Sequence, residues 1–240
     1  MFDLVLVLGG MKETRVATYV LIPGADGRAW YWHRVVPELR RRGHDVVAVD
    51  LPEGNSAGLA EYADAVVQAI GDRSSGLILV AQSLAGFTAP LVCERVAVDE
   101  LVLVNAMVPT YGETAGQWWG NTGQAAARAE RAEREGRGPD AEFDLRVDFF
   151  HDVPPEVTEE ALAPEVSGPS DALFTEPWPL REWPDVPTRF LQGRDDRFFP
   201  IEFQRRIVKE RLGIAVEEMP GGHLSALSRP AELAELICRH

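Results

Sequence analysis

The chain has 240 residues, 45% of them hydrophobic, which is enough for one α/β domain with a sizeable core. Its formal net charge is −14. That balance disfavours nucleic acid and anionic membrane as partners, and it weighs against very anionic substrates.

Residues 1–10 read either as an extra strand or as an extension upstream of a start at Met11. Leu4–Leu8 is apolar but short and lacks a basic start, so neither a signal peptide nor a spanning helix is expected. A cytoplasmic protein is the default. Cys93 and Cys238 lie far apart and form no disulfide framework or metal spacing. Cys93 sits in an apolar helical stretch and reads as core.

Ala17–Ile22 reads as a strand ending at Pro23-Gly24-Ala25-Asp26-Gly27. Val35, Val36 and Leu39 then recur at helical spacing, and Gly43 closes that helix. Val46–Val49 is the next strand and Leu59–Ile70 the next helix. Leu77–Val80 has no polar break and predicts a strand buried on both faces. Phe87–Val96 continues as helix, with Pro90 expected to bend it. Leu101–Val104 is another strand. This alternation predicts a parallel sheet with helices on both faces.

Residues 107–187 break the rhythm and hold ten of the seventeen prolines. Gln124–Glu135, rich in Ala, Arg and Glu, predicts an exposed helix with i,i+4 charge pairs. So long a segment is not a plain loop, and an inserted cap is expected. Thr188–Leu191, Ile201–Arg211, Ile214–Glu218 and Pro230–Cys238 restore the rhythm as strand, helix, strand and helix. The expected organisation is a core of 1–106 and 188–240 with a cap of 107–187.

The chemistry centres on Ala81-Gln82-Ser83-Leu84-Ala85-Gly86, directly after the Leu77–Val80 run. Small residue, any, Ser, any, small residue between strand and helix is the pattern of a nucleophile elbow. The bland alternative is a Ser that caps a helix. A serine hydroxyl needs a base within hydrogen-bond reach. His33 on the first helix reads as surface, and His44 and His240 as solvated. His223, in Pro220-Gly221-Gly222-His223-Leu224, falls between the last strand and the last helix. That is the carboxyl edge of a parallel sheet, where sites form. Arg194-Asp195-Asp196-Arg197 follows the preceding strand at the same edge and offers a carboxylate to orient the imidazole. Ser, Asp and His in that chain order, at three strand ends, weigh strongly for a catalytic triad.

Leu21-Ile22-Pro23-Gly24-Ala25 with Trp30-Tyr31-Trp32, Gly43-His44-Asp45-Val46, the elbow, Asp196–Pro200 with Glu202-Phe203-Gln204-Arg205, and Gly222-His223 with Leu227 together carry a resemblance. The chain resembles the α/β-hydrolase superfamily, in the branch of plant methylesterases and hydroxynitrile lyases with their bacterial relatives. The resemblance covers about 17–105 and 187–239. It implies Ser83 as nucleophile, His223 as base and Asp196 as acid, Asp196 being preferred over Asp195 because the family's acid stands four residues before the proline. It also implies an oxyanion hole of the Ala25 and Leu84 backbone N–H groups. Pro23 departs from the His usual in the family. Asp26 is unusual beside a developing oxyanion and is expected to face solvent or to cap the helix at Trp30. Gly24 and Leu224 stand where the hydroxynitrile lyases carry Thr and Lys, which favours hydrolysis over that lyase reaction.

Two functions follow. The first is a serine hydrolase of a small, uncharged or apolar carboxylic ester or lactone. The second is a small-molecule sensor or signalling protein on the same fold, with Trp118, Trp119, Phe149 and Phe150 as its binding surface. Trp118, Trp119, Phe149 and His151 are the candidate pocket residues; His151 alternatively reads as a partly buried structural histidine. No cofactor or metal is implied. The expected partner is a small-molecule substrate, not nucleic acid or membrane, and a homodimer stays open.

Overall fold

The computed structural model describes residues 16–54, 56–138, 142–164 and 168–239. The expectations for residues 1–10, for a start at Met11 and for His240 lie outside them. Among the described residues six strands form one all-parallel sheet. They are β1 (Thr18–Ile22), β2 (Asp45–Ala48), β3 (Leu77–Gln82), β4 (Glu100–Val104), β5 (Thr188–Gly193) and β6 (Glu217–Met219), in the order β2-β1-β3-β4-β5-β6.

Helices α1 (Val36–Arg41), α2 (Leu59–Ile70) and α3 (Ala89–Cys93) join the first strands. Between β4 and β5 stand α4 (Ala115–Thr122), α5 (Gln124–Arg134), α6 (Leu145–Asp148), α7 (Pro155–Leu162) and α8 (Asp171–Thr175). Then come α9 (Ile201–Leu212), α10 (Ser225–Ser228) and α11 (Pro230–Ile237). No described helix is long and apolar enough to cross a membrane.

The pleat sends alternate strand residues to opposite faces. Val20, Leu79 and Leu103 pack with Ala63 and Val66 of α2 and Ile207 of α9. Tyr19, Val80 and Val102 pack on the other side with Leu39 of α1 and Leu233 of α11. Two cores therefore clamp the sheet, and all six residues of β3 are buried. That is why Leu77–Val80 carries no polar residue.

Three expectations need correction. The stretch after β3 is not one bent helix. A 3₁₀ turn, Ser83–Gly86, is followed by the separate α3, with Pro90 in its first turn. There the missing N–H costs nothing, because the first turn has no intrahelical acceptor to serve. The last strand begins three residues later than Ile214, since Ile214 and Val216 pack onto the core outside the ladder. His44 is half-buried, with its Nδ1 3.3 Å from the Ala17 amide and its ring edge-on to Tyr19. The exposed helix is borne out in α5, with Arg131–Glu135 and Arg134–Glu130 pairs. Both thiols are free and half-buried, and burial pushes Cys93 up to about 12.

The turn after β3 is tight because β4 leaves the sheet beside it. A Cβ at Gly86 would lie 1.8 Å from the Met107 carbonyl oxygen. We expect Gly86→Ala to lower unfolding free energy by about 1–3 kcal/mol, measured by urea denaturation, because backbone must move to admit the methyl.

Candidate active site

β3, β5 and β6 deliver one residue each to the carboxyl edge of the sheet. Ser83 follows β3 with φ of 52°, the left-handed conformation that holds its side chain up at the turn. Its Oγ lies 3.1 Å from Nε2 of His223. Nδ1 of the same ring lies 2.9 Å from Oδ2 of Asp196. Asp196 and His223 are almost completely buried, and Ser83 is 8% exposed. The structure thus brings together the three residues proposed from sequence.

Asp196 is fixed by more than the imidazole. Its Oδ1 accepts from the Phe198 and Phe199 amides, both at 2.8 Å. Its Oδ2 also accepts from Gln192 Nε2 at 3.2 Å. Asp195 does different work: it is exposed, and its Oδ2 accepts from the Gly221 amide at 3.1 Å. It ties the acid-bearing loop to the imidazole-bearing loop without touching the ring.

Asn105, directly after β4, was not singled out in the sequence. It is fully buried with φ of 46°. Its Nδ2 donates to the carbonyls of Gly222 and His223 and to Ser225 Oγ, at 3.1, 2.9 and 3.1 Å. Its Oδ1 accepts from the Gly193 amide at 2.8 Å. One side chain therefore locks the end of β5 to the His223 loop. The available signal was a lone polar residue flanked by apolar runs at a strand end.

Ala25 and Leu84 line the same cavity as Ser83 and His223. Gly24 permits this close approach, since a Cβ there would fall 2.2 Å from Gln82 Oε1. Asp26 neither faces solvent freely nor caps the helix at Trp30. The first amide of that turn, at Ala29, donates instead to Asp50 Oδ1 at 2.7 Å. Asp26 lines the cavity and pairs with Arg28, Oδ2 to Nη2 at 3.5 Å. Burial raises the Asp26 carboxyl above its ordinary range while Arg28 opposes the rise. The guanidinium offsets the Asp26 charge locally at the cavity wall.

The cavity measures about 370 Å³ and is walled by aromatic and aliphatic side chains, including Trp30, Trp119, Phe149, Phe174 and Phe198. Two candidates do not belong to it. Trp118 is fully buried and anchors α4, donating from Nε1 to the Val108 carbonyl at 3.1 Å and packing on Phe199 and Phe203. Neighbours on a helix point about 100° apart, so only Trp119 reaches the cavity. His151 packs against Gly222, where a Cβ would fall 2.5 Å from its Cε1. Burial lowers its basicity. It is the structural histidine of the two readings. His33 is exposed and stacks on Trp30. Among the described residues no cluster of His, Cys, Asp or Glu is arranged to hold a metal ion.

A parallel sheet presenting a strained serine, a loop imidazole and a buried carboxylate at its carboxyl edge defines the hydrolase class of α/β protein. The chain belongs to the Alpha/beta hydrolase family, whose model matches residues 19–236. It is 29% identical to a pyrethroid hydrolase of Sphingobium wenxiniae, over 92% of this chain and 86% of that protein. It is 26% identical to methyl jasmonate esterase 1 of Vitis vinifera, over 94% and 97%. The crystal structure of polyneuridine aldehyde esterase superposes with a TM-score of 0.74 at 19% identity, covering 93% of this chain and 98% of that one, a likeness of fold.

Asn105→Ala leaves the Gly193 amide without its acceptor. We expect a loss of about 1–3 kcal/mol of stability by denaturation, together with a fall in turnover of about tenfold or more as His223 loses its fixed position.

Proposed function

We propose that the protein is a serine esterase that cleaves a small uncharged or apolar carboxylic ester or lactone through an acyl-enzyme. The observation that carries this reading is the continuous hydrogen-bonded chain Asp196–His223–Ser83 at the floor of an apolar cavity. Ser83 Oγ attacks the carbonyl carbon while His223 Nε2 takes its proton. Asp196 holds the ring in orientation and faces the positive charge that forms on it. The Ala25 and Leu84 amides would receive the oxyanion; such a donor is worth on the order of a hundredfold in rate. The intermediate collapses, the ester C–O bond breaks, and His223 returns the proton to the leaving alcohol. Water then attacks the acyl-Ser83 ester by the same proton path.

The cavity supports an apolar substrate, because Asp26 and Arg28 neutralise each other at its wall. Leu224 lines the cavity where a lyase of the related branch would carry an ammonium, which supports hydrolysis. The named activities of the relatives, esterase and pyrethroid hydrolase, point the same way. In this reading the segment 107–187 acts as a cap whose Trp119, Phe149 and Phe174 shape the pocket.

A fluorophosphonate probe is expected to label the wild type and to fail with Ser83→Ala. Turnover of a panel of short-chain and aryl esters is expected to fall at least about a thousandfold in that variant. Equal labelling, or equal turnover, of the two proteins would overturn the assignment. Tight binding of the esters with negligible wild-type turnover would indicate a sensor instead.

A further inference from the structure

Phe149 has a relation to His223 that pocket lining does not require. Its ring lies parallel to the imidazole, with centroids 4.7 Å apart and an interplanar angle of 18°. Phe198 and Phe199 meet the same imidazole edge-on, at 5.3 and 5.1 Å. Phe149 is itself braced at right angles by Phe198, at 4.6 Å. Its place is set from below by Asp148, which is fully buried. Asp148 accepts from Arg137 Nη1 at 3.1 Å and from the Asp144 amide at 3.0 Å. Three residues after Phe149, Asp152 Oδ2 accepts from the Gly222 amide at 2.8 Å. The segment after α6 thus grips the histidine loop by its backbone and covers the ring by an aromatic face.

We propose that Phe149 is a positioning residue that stabilises the imidazolium form of His223 as the proton leaves Ser83. This rests on the acyl-enzyme reading above. An aromatic face carries negative potential and attracts a cation stacked over it, more strongly where water is excluded. His223 is only 1% exposed. Neutral imidazole gains little from that potential, so the attraction grows during proton transfer, which is the condition for a rate effect. The titratable and charged groups around the ring lie on other side chains and remain in the chain when Phe149 is changed. Asp196 bonds the ring, and Asp195 and Asp152 bond the loop amides. His151 and Arg229 pack on Gly222 and Gly221, and Arg197 follows Asp196 while pairing with Glu135. Tyr31 and Asp26 lie across the cavity.

The test compares wild type with Phe149→Leu, Phe149→Met and Phe149→Tyr, using kcat/KM against pH for an aryl ester and the rate of fluorophosphonate labelling. Leu and Met keep apolar bulk but remove the aromatic face, and two such variants guard against one that fails to fold. Both should move the acid limb to lower pH by about half a unit to one unit and lower kcat several-fold. Tyr, which keeps the aromatic face, should leave the acid limb near its wild-type position. An unmoved limb with a changed KM would show that Phe149 is only a wall of the pocket. A limb moved to higher pH would show that the ring merely shields His223 from water. A Tyr variant whose acid limb moves as far as that of Leu would also overturn the proposal. If Ser83→Ala abolishes labelling while the limb stays put, this inference fails and the esterase reading stands.

Discussion

An imidazole can serve a serine only while its ring is held at one angle, and in this molecule that angle rests on the 2.9 Å contact between His223 Nδ1 and Asp196 Oδ2. Neither residue is near the other in sequence. Their meeting depends on two adjacent parallel strands, β5 and β6, ending at the same edge. Much of the surrounding structure serves this contact. Phe198 and Phe199 amides fix the carboxylate, Asp195 and Asp152 fix the glycine amides before His223, and Asn105 fixes the carbonyls. Buried polar groups of this kind are favourable only when each finds its partners.

The segment between β4 and β5 meets both the core and the cavity. Trp118 fastens it to the core through Phe199 and Phe203, and Gln124 donates to the Phe198 carbonyl. Trp119 and Phe149 then face the cavity. The acid-bearing loop is therefore packed against the same helices that shape the pocket. A change of substrate fit and a change of imidazole environment can arise from one substitution, which makes the segment a sensitive place for divergence among relatives that keep the sheet.

The sheet was legible because burial on both faces leaves a strand no room for polar residues: Leu77–Val80 and Leu101–Val104 announced themselves. The last strand was legible in its existence but not in its bounds, because Glu217 and Glu218 are not buried while the apolar Ile214 and Val216 ahead of them belong to a loop that packs on the core. Ser83, His223 and an acid in the Asp195-Asp196 pair were legible from order and position, since parallel strands must end at one edge; the choice of Asp196 came from the family resemblance. Asn105 was hidden: a single buried amide has no spacing signature. Trp118 and Trp119 could not be told apart without knowing which side of α4 meets Phe203. The compensation of Asp26 by Arg28 was written two residues away, but the burial that makes the pairing matter is tertiary.

The role of the Asp196–His223 contact is tested most sharply by the turnover of Asp196→Asn, measured beside its denaturation midpoint. The asparagine keeps the shape and can still accept from the Phe198 and Phe199 amides, but it carries no charge to orient and stabilise the imidazolium. We expect a loss of kcat of about 10³–10⁴-fold in a protein that unfolds close to the wild-type midpoint. Turnover within tenfold of wild type, in a variant shown to be folded, would contradict it.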